Sequence, residues 1–151
     1  WKSWQHALKY IDKNIAMNLK GLIVLPATAP LRNKSDIKKA IKVFEKNNSD
    51  VVISVRDAER NPYFNMVELD KKKNLVISKK SRNNIFRRQD APEVFDMTTV
   101  VFILKPSFLR KKNHIFEGKM DFVKIPYHRS IDIDNKTDLF MANSFINYKN
   151  K

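Results

Sequence analysis

A chain of 151 residues with 42% hydrophobic and 11% aromatic content is long enough to bury a core and fits a folded globular protein. It contains no cysteine, which excludes disulfides, thiolate metal sites and cysteine nucleophiles and fits a reducing cytoplasm, the expected compartment. No apolar run is long enough to span a bilayer, so no membrane role is expected. The 30 Lys+Arg against 16 Asp+Glu give a net charge of +14. Such a balance suits an anionic partner, and a basic polyanion-binding module is the alternative class of function. The cations are scattered along the chain and not gathered on one helix face, so a solvated surface accounts for them and nucleic acid is not the expected partner.

The chain opens at Trp1 without an initiator methionine, which suggests a piece of a longer protein. Trp4, Ala7, Leu8, Ile11 and Ile15 recur at helical spacing, with Ser3 as N-cap. Gly21 breaks the pattern, and Leu22–Leu25 is a continuous apolar run of the kind that forms a strand buried on both faces. Pro26 and Pro30 bracket a loop. Ser35 and Asp36 begin a second helix carrying Ile37, Ala40, Ile41 and Phe44, which ends at Asn47–Asp50 before a buried strand, Val51–Val55. Helix, strand, helix, strand is the alternation that builds a parallel sheet covered by helices.

The middle of the chain differs. Phe64–Leu69 and Asn74–Ser78 read as an antiparallel hairpin around the Lys71–Lys73 turn, and Ser81–Pro92 as polar, basic and irregular. Thr98–Leu104 is a strongly apolar strand stopped before Pro106, followed by a helical turn at Ser107–Arg110. Phe122–Ile125 is a strand stopped by Pro126. A last strand, Ser130–Asp134, precedes a helix from about Thr137. The whole reads as a single α/β unit over residues 1–151 with an inserted hairpin.

Ser130-Ile131-Asp132-Ile133-Asp134 is the most informative segment. On a strand, alternation would put Asp132 and Asp134 on one face about 7 Å apart, two rises of roughly 3.3 Å. Paired carboxylates there could hold magnesium, which keeps waters and completes its shell with substrate phosphate oxygens. The carboxyl end of a strand is also the edge where open α/β sheets bind ligands. The competing reading is an exposed strand end with Asp134 capping the next helix. Arg32, in the loop 26–32, could fork onto a carboxylate or phosphate or be an ordinary surface arginine. Arg87-Arg88-Gln89-Asp90 could hold an anion or be a solvated loop. His6, His114 and His128 share no metal-ligand spacing and read as structural or surface residues. Only two glycines occur, Gly21 and Gly118, and neither opens a helix in a Gly-rich turn able to wrap a triphosphate.

Three blocks in order resemble the acylneuraminate cytidylyltransferase family. They are Pro26–Arg32 with its following helix and strand; Asn61-Pro62-Tyr63 leading to Arg87-Arg88-Gln89-Asp90-Ala91-Pro92; and Ile125-Pro126 through Arg129-Ser130-Ile131-Asp132-Ile133-Asp134 with Asp138-Leu139. The resemblance implies a three-layer α/β nucleotidyltransferase (Rossmann-like) sheet, incomplete at the N-terminus because the family's phosphate-binding loop precedes these blocks. It implies transfer of CMP from CTP to an acidic nine-carbon, sialic acid-like sugar, with pyrophosphate released, or a related reaction with another nucleotide or sugar. It further implies Mg2+ on Asp132 and Asp134, substrate binding by Thr28, Arg32, Arg88 and Gln89, and a homodimer formed through the hairpin at about 64–78. The loop Pro26-Ala27-Thr28-Ala29 and the pair Thr98-Thr99 depart from the family's Gln-Pro-Thr-Ser and Asn-Gly. Activity of residues 1–151 alone is not expected.

Overall fold

The computed structural model describes residues 1–15, 18–81 and 84–149, with side chains described as far as residue 147. The chain divides into two compact units, Trp1–Arg56 with Met97–Lys151, and Asp57–Asp96.

The larger unit begins with α1 (Lys2–Asn14), which packs against α3 (Pro106–Lys111). Its N-cap residue is Trp1 and no side chain caps it, so Ser3 lies inside the helix and not at its start. The indole of Trp4 sits 5.2 Å from the Phe102 ring and that of Trp1 5.8 Å from Phe108, which anchors the helix by aromatic contact in place of a cap. The second helix, α2 (Lys34–Asn47), starts earlier than its sequence suggests. Asn33 is its N-cap, accepting from the Asp36 amide at 3.1 Å, while the Asp36 carboxylate accepts from the Asn33 amide at 3.0 Å. This reciprocal box satisfies two amides that the first turn would otherwise leave unpaired.

Four strands form the sheet: β1 (Leu22–Val24), β2 (Val51–Asp57), β5 (Phe95–Leu104) and β6 (Met120–Lys124), in the order β1-β5-β2-β6. Leu22 stands opposite Leu104 in an antiparallel pair, and Val51 opposite Met120 in a parallel one. The Lys105 amide donates to the Asp50 carbonyl and the Val101 amide to Ser54 Oγ, so β5 also runs antiparallel to β2. Thus β1, β2 and β6 point the same way, and β5 lies reversed between β1 and β2. The expected parallel relation of the first two strands holds, but they are not neighbours.

Burial follows position in the sheet. Val51 to Val55 are all buried, because β2 lies between β5 and β6 with Ala40 and the partly buried Ile41, Val43 and Phe44 of α2 in the core against it. Ile103 joins that core, while its neighbour Phe102 meets α1; the pleat therefore sends alternate β5 side chains to helices on opposite faces. The continuous apolar run at Leu22–Leu25 is not buried on both faces. Ile23 is 41% and Leu25 43% exposed, because β1 pairs on one side only among the described residues.

The final expected strand is absent. Ser130–Asp134 makes no ladder and runs as an irregular segment after a 3-10 turn at Tyr127–Arg129. The last helix, α4, spans Lys136–Lys149. The smaller unit holds the expected hairpin, β3 (Val67–Leu69) against β4 (Leu75–Ile77), with Leu69 opposite Leu75. Lys73 in its turn has a positive φ of 63°. Most of 84–92 is irregular apart from a 3-10 turn at Arg88–Asp90, and residues 82 and 83 lie outside the described residues. No helix among the described residues is long and apolar enough to cross a membrane.

Candidate active site

Since β1, β2 and β6 run parallel, their carboxyl ends share one edge of the sheet, and the segments leaving them converge there. After β1 comes the loop Pro26–Arg32; after β6 comes the segment Ile125–Asn135. The Ile133 amide donates to the Thr28 carbonyl at 2.8 Å, tying the two together. The apolar alternation that suggested a strand at 130–134 thus ends in a loop-to-loop bond.

A second tie is an ion pair. Arg129 Nη2 lies 2.9 Å from Asp36 Oδ1 and Nε 3.0 Å from Oδ2, a two-pronged pairing with a side chain that is itself fully buried. It locks the start of the 130–134 segment onto the first turn of α2. Ser130 adds a hydroxyl bond to the Tyr127 carbonyl at 2.9 Å.

Held this way, Asp132 and Asp134 both line a cavity of about 360 Å³. Arg56 from the end of β2, Thr98 from the start of β5, Tyr127 and Asp138 of α4 share its wall. Asp132 Oδ1 is buried with no hydrogen-bond partner, as are the hydroxyls of Thr98 and Thr99. A buried polar atom without a partner is costly in a folded protein and marks a place where a ligand or ion can supply one. Asp134 is not the helix cap. Asn135 accepts from the Thr137 and Asp138 amides at 2.8 and 3.1 Å, and Asp138 Oδ2 accepts from the Asp134 and Asn135 amides, each at 3.1 Å. The carboxylate of Asp134 takes no part in that box.

Thr28 and Arg32 lie on the neighbouring loop. Thr28 is exposed, and its backbone makes the link to Ile133. The Arg32 guanidinium is turned onto its own loop: Nε donates to the Ala29 carbonyl at 2.9 Å and Nη2 to that of Pro26. Partial burial pulls its pKa below the ordinary arginine value. Arg88 and Gln89 belong to the smaller unit, where they line a cavity of about 260 Å³ with Asp57, Asn61 and Pro92. Arg88 Nη2 donates to the Glu59 carbonyl, and the adjacent Arg87 pairs with Asp90 at 3.1 Å.

Arg129 belongs to a block that carries the resemblance, but nothing in the sequence marks Arg56 for this place or Asp36 as the partner of Arg129. Arg56 follows a run of apolar strand residues, and Asp36 and Arg129 are 93 positions apart. Among the histidines, His114 Nδ1 accepts from the Phe116 amide and His128 lies beside Arg129, which is structural work in both cases.

The class of the fold is that of the α/β nucleotidyltransferases. A 4-diphosphocytidyl-2C-methyl-D-erythritol synthase from Anaerococcus prevotii superposes with a TM-score of 0.64 over 96% of this chain and 65% of its own, at 13% identity. No family model matches the chain. In sequence the chain is similar to curated proteins of Campylobacter. It is 35% identical over 129 residues, 85% of the chain, to the post-translational flagellin modification protein B of Campylobacter coli. It is also 35% identical over 144 residues, 95% of the chain, to the CMP-N,N'-diacetyllegionaminic acid synthase of Campylobacter jejuni. The chain spans 54% and 60% of the lengths of these two curated relatives.

Proposed function

We propose that the full-length protein is a cytidylyltransferase that moves CMP from CTP to an acidic nine-carbon sugar. The observation that carries this reading is the 35% identity to a CMP-sugar synthase across 95% of the chain. In the reaction a sugar hydroxyl oxygen bonds to the α-phosphorus of CTP, the bond from that phosphorus to the bridging oxygen breaks, and pyrophosphate departs with the electron pair. The hydroxyl proton passes to solvent or a nearby base. The residues at the sheet edge suit the binding and orienting that such a transfer requires.

Asp132 and Asp134 are proposed to hold Mg2+. The donor set is right for it: hard carboxylate oxygens, one of them buried and unpartnered, on a cavity wall. Among the described residues no three His, Asp or Glu side chains are grouped so as to hold a metal by themselves, and magnesium is commonly completed by substrate phosphate oxygens and water. Bound there, the ion would offset charge developing on the phosphate. Arg129, fixed by Asp36, keeps the segment carrying both carboxylates in place. Thr28, Arg32, Arg88 and Gln89 remain proposed substrate-binding residues, and the hairpin 64–78 the proposed homodimer contact.

The test is pyrophosphate release by the full-length protein with CTP, UTP or GTP and a panel of nine-carbon acids. CTP with at least one acid should be turned over, and Asp134→Ala should lower the rate at least about a hundredfold, the scale lost with one strong transition-state contact. No release from CTP with any acid would sink the reading, and near-normal turnover by the variant would remove the metal role.

A further inference from the structure

We propose that Arg56 takes a substrate oxyanion at the Asp132–Asp134 cavity, with the Thr98 hydroxyl as its companion contact. The inference rests on the nucleotidyltransferase reading of that cavity and names a specificity residue within it.

Arg56 stands near the carboxyl end of β2, an inner strand whose five preceding residues are buried, so its backbone is held firmly. Its guanidinium carbon lies 4.9 Å from the centroid of the Tyr127 ring. Tyr127 in turn meets Phe145 of α4 edge-on at 6.2 Å. A guanidinium held over an aromatic ring that is itself braced is restricted in position, which suits a fork-like grip on a carboxylate or phosphate. Among the described residues lining the cavity, Arg56 is the only cation, while Asp132, Asp134 and Asp138 supply carboxylates. An anionic ligand entering there would be repelled by those groups unless a cation on the wall received it.

Thr98 points to a ligand independently. It is 6% exposed, lines the same cavity, and its hydroxyl is buried without a partner. A hydroxyl donates and accepts, so it can complete the shell of an oxyanion or meet a sugar hydroxyl. The ligand class is therefore an oxyanion, either the acceptor's carboxylate or a phosphate of CTP.

Titration calorimetry on the full-length protein, with N-acetylneuraminate and CTP–Mg2+ as separate probes, distinguishes the two sources. Arg56→Met should weaken one probe about ten- to hundredfold, the range for losing a charge-assisted bond. Arg56→Lys, keeping charge without the fork, should fall between, and Thr98→Val should weaken the same probe less. Loss confined to N-acetylneuraminate assigns the carboxylate, and loss confined to CTP assigns a phosphate. Equal affinities for wild type and Arg56→Met at an unchanged melting temperature overturn the proposal, as does a wild type that binds neither probe. A protein that binds one probe through Arg56 yet releases no pyrophosphate leaves this inference standing and removes the catalytic reading.

Discussion

In β2, Val51 to Val55 are all buried, whereas in β3 of the other unit Val67, Glu68 and Leu69 are all exposed. The two strands have comparable apolar content and different surroundings. β2 has a partner on each side and a helix over it. The hairpin has only its own two strands, with Val67 61%, Leu69 64% and Leu75 70% exposed. A two-stranded ribbon is marginal by itself, and this one is held at its ends. At the base, the Asn61 carbonyl accepts from the amides of Phe64, Asn65 and Met66, and its side-chain amide donates to the Pro92 carbonyl at 2.9 Å. At the tip, Asp70 Oδ1 accepts from the amides of Lys72 and Asn74 at 2.8 and 2.9 Å. The exposed side chains of the hairpin thus contribute little to folding, while the larger unit carries the Asp132–Asp134 cavity.

Three variants sharpen or break that contrast. The largest expected effect is in the sheet unit. Arg129→Met strands the buried Asp36 carboxylate, which should cost about 3–5 kcal/mol in urea unfolding. A loss under about 1 kcal/mol would mean the pair does not pin the 130–134 segment.

Ser49→Ala should be milder and pH-dependent. The Ser49 hydroxyl is the chief cause holding the Asp121 pKa below the ordinary carboxylate value, opposed by desolvation and aided by Asn47 and then Lys119. A carboxyl lowered in the folded state contributes stability present above its unfolded pKa, about 4, and lost as pH falls through the lower folded value. The variant should therefore be less stable than wild type at pH 7, by at most about 1 kcal/mol, and the gap should close below pH 4. A gap that widens in acid would contradict the assignment.

The smallest stability effect belongs to the hairpin. Leu75→Ser should change unfolding by no more than about 0.5 kcal/mol, as for other exposed positions. It should nevertheless weaken self-association measured by sedimentation equilibrium at least tenfold if the hairpin is the dimer contact. Were Leu75→Ser to cost as much as Arg129→Met, the contrast between the units would collapse.

The elements were legible wherever the signal was local. Apolar spacing of three and four marks α2 and α4, a continuous apolar run marks β2 and β5, and two short apolar runs around a lysine-rich turn mark the hairpin. Each depends on side chains a few positions apart, which periodicity detects. Starts and ends were less legible, since Asn33 and not Ser35 or Asp36 caps α2, and Trp1 opens α1 through ring contacts. The site was legible in part: Asp132 and Asp134 share a cavity as their spacing suggested, though not from a strand.

What the sequence determined alone is the alternation of helices and strands and the pairing of two carboxylates near a helix start, because both are matters of short-range spacing. What the tertiary structure decided is where the backbone donors and the charges end up. Ser130–Asp134 has a strand's alternation, but a strand exists only where a neighbour accepts its hydrogen bonds. Here the Ile133 amide goes to the Thr28 carbonyl and Arg129 to Asp36. Arg56 and Thr98 share a cavity with Asp132 for the same reason, since the end of β2 and the early part of β5 lie at one edge of the sheet once β5 is threaded between β1 and β2.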